Sequence, residues 1–201
     1  MKNEEHEING QIVKIPIPES YRDCIKIIKS DCHRLYGKTE SFLIIIIKTL
    51  LKPFRSSVLF WFRLCQYRGI LFPFFYIMYK RACIKYHVDI PISTKIGYGL
   101  YLGHGICIVV NGGTIIGNNV NLSQFLNIGT NSRLPAKIGD DVYIGPHVSI
   151  VENVEIGNKS TIGAGAVIVK DVPENSTVAG VPGKVLNFNN PGRFILNRFL
   201  P

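Results

Sequence analysis

The stretch IGDDVYIGPHVSIVENVEIGNKSTIGAGAVI, residues 138–168, sets an isoleucine at every sixth position: Ile138, Ile144, Ile150, Ile156, Ile162 and Ile168. The same spacing reaches back through Ile128, Leu122 and Ile116, and then through Ile108, Leu102, Ile96 and Ile90. A period of six fits neither an amphipathic helix nor a long alternating strand. It fits short strands joined by tight corners, and the I-G and L-G pairs at Gly97, Gly103, Gly117, Gly129, Gly139, Gly145, Gly157 and Gly163 supply corner residues without a Cβ. Three such segments close a coil of about 18 residues, and five stacked coils make a prism about 25 Å tall whose strands pair in parallel. The fold class is therefore mainly β, a parallel β-helix over residues 89–185. The period slips twice, with eight residues from Ile108 to Ile116 and ten from Ile128 to Ile138. The surplus residues must leave the prism, and Gly129–Lys137 (GTNSRLPAK) with Arg133 is expected to wall a site.

Outside the repeats the composition changes. Residues 1–88 hold 15 Lys+Arg against 7 Asp+Glu, whereas residues 89–185 hold 6 against 7, so the net charge of +9 belongs to the N-terminal part. That part reads as a flexible tail over 1–19 and a helical cap over 20–88, with helices expected near 20–36, 41–51, 54–68 and 73–87; residues 186–201 read as a C-terminal tail. Tyr21, Ile25, Ile28, Cys32 and Leu35 fall on one face of the first helix, which Gly37 ends. No apolar run approaches the roughly 20 residues of a membrane span. Five cysteines with no C-x-x-C pair and no secretory leader pattern suit a reducing, cytoplasmic setting. The basic residues of the cap alternate with apolar ones rather than forming a dense stripe, which argues against nucleic acid.

Two of the five histidines lie in the repeats, His104 in LGHGI and His147 in IGPHV. His147 reads as an ordinary outward side chain. Asp89 precedes His104 by fifteen residues, one side short of a full coil, and this spacing permits a carboxylate–imidazole dyad in which Asp89 fixes the tautomer and His104 Nε2 acts as a base.

The segment VDIPISTKIGYGLYLGHGICIVV, the hexapeptides and the closing IGAGAVIVKDVPENSTVAGVPGKV resemble the serine acetyltransferase family of hexapeptide-repeat acyltransferases, including its relatives of surface-polysaccharide loci. The resemblance covers about residues 75–186. It implies a left-handed β-helix, a homotrimer with sites between subunits, acetyl-CoA as co-substrate, no metal, and Asp89 and His104 as the catalytic pair. It further implies CoA contacts at Gly145, Ala164, Gly165, Lys170 and Lys184, and an acceptor contact at Arg133. Direct transfer needs no nucleophile, so Cys107 is expected in the core.

The chain departs from the family at the acceptor. Gly103 stands where an aspartate usually precedes the catalytic histidine, and the usual Arg-His-Pro reads Arg133-Leu134-Pro135. These departures favour acetyl transfer to a sugar hydroxyl of a capsular or similar glycan precursor, with L-serine as the alternative acceptor. A trimeric metalloenzyme of carbonic anhydrase type, with His87, His104 and His147, is the distant alternative, and a non-catalytic trimeric scaffold a further one. The mixed basic and aromatic run FWFRLCQYRGILFPFFYIMYKR leaves two readings of the cap: packing against the prism and neighbouring subunits, or peripheral contact with the inner membrane surface.

Overall fold

The computed structural model describes residues 1–51, 56–131 and 134–200. Residues 1–19 are not a flexible tail: β1 (Lys2–Ile8) and β2 (Gln11–Ile17) pair antiparallel around an Asn9-Gly10 turn, with both turn residues at positive φ. Asn-Gly is a strong hairpin signal because both residues tolerate the left-handed region that the turn needs. The hairpin docks on the prism through a Glu4–Lys95 ion pair, through Asn9 N–H donating to Glu155 Oε2 (2.6 Å), and through buried Ile8, Val13 and Ile15.

The cap comprises α1 (Tyr21–Tyr36), α2 (Phe42–Leu51), α3 (Ser56–Cys65) and α4 (Phe72–Tyr86). Ser20 caps α1 by accepting from Asp23 N–H, and Gly37, at φ 70°, closes it with a left-handed turn. Cys24, Ile28 and Cys32 of α1 pack on Ile45 of α2 and on Phe60 and Leu64 of α3.

From Val88 onward the chain winds through three parallel sheets. The first contains β3 (Val88–Asp89), β6 (Ile108–Val110), β9 (Asn127–Ile128), β12 (Ser149–Ile150) and β15 (Val167–Ile168). The second contains β4 (Lys95–Ile96), β7 (Ile115–Ile116), β10 (Lys137–Ile138) and β13 (Glu155–Ile156), to which Val172 adds a bridge. The third contains β5 (Tyr101–Leu102), β8 (Asn121–Leu122), β11 (Tyr143–Ile144), β14 (Thr161–Ile162) and β16 (Thr177–Ala179), closed by antiparallel β17 (Lys184–Asn187). The expected aliphatics stack inside: Ile96 on Ile116, Ile138 and Ile156, and Leu102 on Leu122, Ile144, Ile162 and Val178. The result is a parallel β-solenoid of hexapeptide turns with an N-terminal helical region.

The register corrects one expectation. Val88 faces Ile108, Asp89 faces Val109 and Val110 faces Ile128, so Val110 continues the ladder above Ile128 and Ile90 falls above Val110. Leu102 to Val110 is therefore the eight-residue step, and the first excursion lies at 103–109, not after Ile108. The second excursion lies where expected, between β9 and β10.

The first turn has no turn above it to accept its hydrogen bonds, and the cap supplies the partners. Arg63, with no exposed surface, donates to Ile96 O (2.9 Å) and Gly97 O (2.7 Å) while its Nε and Nη2 hold Asp31 at 2.9 and 3.1 Å. Asp31 Oδ1 accepts from Leu100 N–H (2.8 Å), Ser30 Oγ accepts from Gly99 N–H (2.9 Å), and Arg34 Nε donates to Gly99 O (3.1 Å). The C-terminal segment runs back along another corner, where Phe199 N–H donates to Asn119 Oδ1 (2.9 Å) and Arg198 pairs with Asp141 (3.2 Å).

Asp31→Ala leaves Arg63 buried without its counter-charge and is expected to cost about 3–5 kcal/mol in urea denaturation. The hairpin carries its own pH dependence. The Lys95 hydrogen bond holds the Glu4 carboxyl below its usual range, and burial lowers His6. Both depressed groups favour docking when deprotonated, so that contribution fades as pH falls, first below about 6.5 for His6 and then below about 4.5 for Glu4. Limited proteolysis within residues 1–19 is expected to accelerate over that acid range while the prism stays resistant.

Candidate functional site

Hexapeptide corners set where side chains leave the prism, and each sheet junction forms a column along the axis. At the junction between the β5 and β6 sheets, Gly103 N–H donates to Leu122 O (2.7 Å), Ser123 N–H to Ile144 O (3.1 Å), Gly145 N–H to Ile162 O (2.9 Å) and Gly163 N–H to Val178 O (2.8 Å). His104 stands at the top of this column, in the expanded corner 103–109, exposed and at φ 59°, with Gly105 (φ 59°) and Cys107 (φ 51°) also left-handed. Cys107 N–H donates to Tyr86 O (3.1 Å), which ties the expanded corner to the end of α4. A non-glycine residue at positive φ is uncommon, and in this corner it turns the imidazole out of the prism.

Below His104 in the same column lie three of the residues expected to touch CoA. Gly165 N–H donates to Pro146 O (2.9 Å), and a Cβ built on Gly145 would sit 2.8 Å from Ala164 N and 2.9 Å from Ile162 O. Packing alone thus demands glycine at 145. Gly165 differs: a Cβ there would meet nothing within 4 Å, so the exposed Ala164-Gly165 edge leaves open space. The turns are about 4.8 Å apart, which puts Gly145 and Gly165 about 10 and 14 Å down the axis from His104.

Of the other expected residues, Lys184 pairs with Ala179 at the foot of this column, and Asp89 and Lys170 are placed elsewhere. Asp89 lies on β3, opposite Val109 and one rung from the strand that the His104 loop feeds. Among the described residues no hydrogen bond joins Asp89 to His104; both are exposed, and Asp89 lines a cavity of about 200 Å³ with Tyr79, Lys80, Cys83 and Ser93. Lys170 follows β15 at the next corner, the one from which the second excursion also leaves, and Lys184 opens β17; both are exposed. Arg133 lies outside the described residues. The His104 corner and the Lys170 corner are different edges of one prism, and a single chain does not bring them together.

Two features escaped the sequence reading. His147, also left-handed at φ 57°, stacks on Phe125, with ring centroids 4.5 Å apart and planes at 10°, in the His104 column. Residues one turn apart in a coil were the available signal. Cys107, expected in the core, is half-buried. The thiols of Cys24, Cys32 and Cys65 are pushed up to about 12 by burial, which leaves them protonated and poorly nucleophilic.

The class that this architecture defines is a parallel β-solenoid of hexapeptide turns with one expanded, histidine-bearing corner, and residues 135–170 match the family described as bacterial transferase hexapeptide (six repeats). Among curated proteins, the serine acetyltransferase of Escherichia coli (strain K12) is 34% identical over 111 residues, covering 53% of this chain and 41% of that protein. The chain therefore spans about two fifths of the length of this relative. Among solved structures, Neisseria gonorrhoeae serine acetyltransferase in complex with serine is 29% identical with a TM-score of 0.63, covering 81% of this chain and 69% of that one. A serine acetyltransferase in complex with CoA is 25% identical with a TM-score of 0.61, covering 82% and 68%.

Gly145→Ala forces backbone of the next turn to move and is expected to cost about 1–3 kcal/mol, read as a lowered urea midpoint at unchanged slope.

Proposed function

We propose that this protein transfers an acetyl group from acetyl-CoA to an acceptor hydroxyl, in the manner of the serine acetyltransferases it resembles. The observation that carries the reading is the shared column: an outward imidazole in an expanded corner, two turns above the small-residue edge that begins at Gly145 and continues through Ala164 and Gly165. That edge suits the backbone-contacting arm of CoA, because Gly165 leaves room and Ala164 presents little bulk. Lys170 and Lys184 supply cations for phosphate groups.

In this reading His104 takes the acceptor proton as the hydroxyl oxygen attacks the thioester carbonyl, and the proton passes on to the departing thiolate. Asp89, one rung away, stabilises the imidazolium. A trimer accounts for the separation of the two corners. The His104 column of one prism would face the Lys170 corner and second excursion of its neighbour, so that each groove is completed by two chains.

For the acceptor, L-serine is the reading that the names of the relatives support. A sugar hydroxyl is the reading that two residues of this chain support. A Cβ built on Gly103 would find its nearest neighbour, Ser123 Cα, at an ordinary 3.5 Å, so packing does not exclude the aspartate that the family places there. Leu134 is 58% exposed where the family carries histidine. Both changes remove polar contacts suited to an amino acid.

The test is release of CoA thiol with L-serine, nucleotide sugars and oligosaccharides offered side by side. His104→Ala is expected to lower kcat/KM about a hundredfold to ten-thousandfold for whichever acceptor works. Turnover of serine alone selects the amino-acid reading and turnover of glycans alone the sugar reading. Undiminished turnover by His104→Ala overturns the mechanism.

A further inference from the structure

Helix α2 is amphipathic in the inverted sense. Ile45 and Thr49 face inward and are buried, while Leu43, Ile44, Ile47, Leu50 and Leu51, at i, i+1, i+4, i+7 and i+8, are 67, 44, 45, 61 and 77% exposed. An aliphatic stripe on the outer face of a helix is unstable in water without a cover. The sequence run 60–81 resolves in the same way: Phe60, Phe62 and Tyr79 pack inside, but Ile70, Phe74 and Ile77 remain 93, 55 and 58% exposed.

The two exposed faces adjoin. A cavity of about 290 Å³ with apolar walls opens between α2 and α4, lined by Phe42, Ile46, Leu50, Trp61, Leu71 and Phe74. Beside it, sharing Leu50 and Trp61, a second cavity of about 370 Å³ carries Arg81 and Lys85. The charge around them is one-sided. Residues 20–88 hold 13 Lys+Arg and 3 Asp+Glu, and each of those acids is paired: Asp23 with Lys26, Asp31 with Arg63 and Glu40 with Lys48. Helix α4 bears Lys80, Arg81 and Lys85 and no acid.

We propose that the outer face of α2 and α4 docks the protein on an anionic phospholipid surface, with the aliphatic stripe entering the acyl boundary and Arg81 and Lys85 meeting lipid phosphates. Charge complementarity selects this occupant: a surface of aliphatic side chains flanked by Arg81 and Lys85, on an element with a large excess of cations, fits a layer that is apolar beneath and negative above. At ten residues α2 is about 15 Å long, which suits lying in the interface, and no helix among the described residues is long and apolar enough to cross a membrane. The proposal is independent of the acetyl-transfer reading.

The test is co-sedimentation of the full chain with vesicles of phosphatidylcholine alone and of phosphatidylcholine containing about one part in three phosphatidylglycerol. The expected result is binding to the anionic vesicles only, weakened by salt. Arg81→Ala with Lys85→Ala is expected to weaken binding roughly fivefold per charge removed, and Leu43→Glu with Ile47→Glu and Leu51→Glu to abolish it while the thermal transition persists. Binding that is absent, indifferent to lipid charge, or unchanged in the triple variant overturns the proposal. A wild-type chain that ignores vesicles, but whose larger assemblies the triple variant breaks, assigns the face to a second copy instead; the wild-type salt titration decides the matter even if that variant fails to fold.

Discussion

A stack of parallel coils has an open edge at its first turn, and closing that edge is the constraint on which the rest of this structure depends. The carbonyls of Ile96, Gly97 and Gly99 and the N–H groups of Gly99 and Leu100 point toward a turn that does not exist. Left bare, they would be a template for aggregation, and buried without partners each would cost on the order of 1–3 kcal/mol. The cap meets them with side chains, most of them charged, rather than backbone. Arg63 takes two carbonyls and Asp31 takes an amide while the two hold each other. A guanidinium fork can serve two carbonyls and a carboxylate at once, which no aliphatic side chain can. The same contacts fix where α1 and α3 sit, and through Cys107 and Tyr86 the end of α4 meets the corner that holds His104.

Chemistry on such a prism is confined to its corners, since the faces are strand and the interior is filled. A corner of ordinary length leaves room only for small or outward residues. The two surplus residues at 103–109 let three residues take left-handed backbone and swing His104 clear of the ladder. Below it the column carries the stacked Phe125 and His147 and then Gly145, Ala164 and Gly165, so the same edge offers an imidazole at one end and an approachable backbone lower down. In the proposed reading, the separation of this edge from the Lys170 corner makes assembly part of the site rather than an accessory to it.

Much of this was legible in the sequence because a solenoid is local: the spacing of aliphatics is the spacing of turns. The position of the first excursion was not, for a specific reason. Ile108 and Val110 are both aliphatic, and residues two apart on a strand face the same side, so spacing could not say which continues the ladder. Only pairing with Ile128 does. The hairpin was hidden by charged strands such as KNEEHEI, although Asn9-Gly10 marked its turn. Nothing in the sequence of α1 announces the open edge beside which Asp31 and Arg34 lie. The sequence names candidate residues and not their geometry: His104 and the small-residue edge share a column, whereas Asp89 and His104 occupy neighbouring rungs without a hydrogen bond in the single chain.

The central claim is that the acetyl group passes directly to the acceptor, with His104 moving the proton and no side chain carrying the acyl group. Intact-protein mass spectrometry during a single turnover, with protein in excess over acetyl-CoA and the active acceptor present, tests it most directly. The account predicts that the acetyl group appears on the acceptor while the protein mass never changes. An acetylated chain, on Cys107 or any other residue, that forms and decays at the rate of product formation would contradict it.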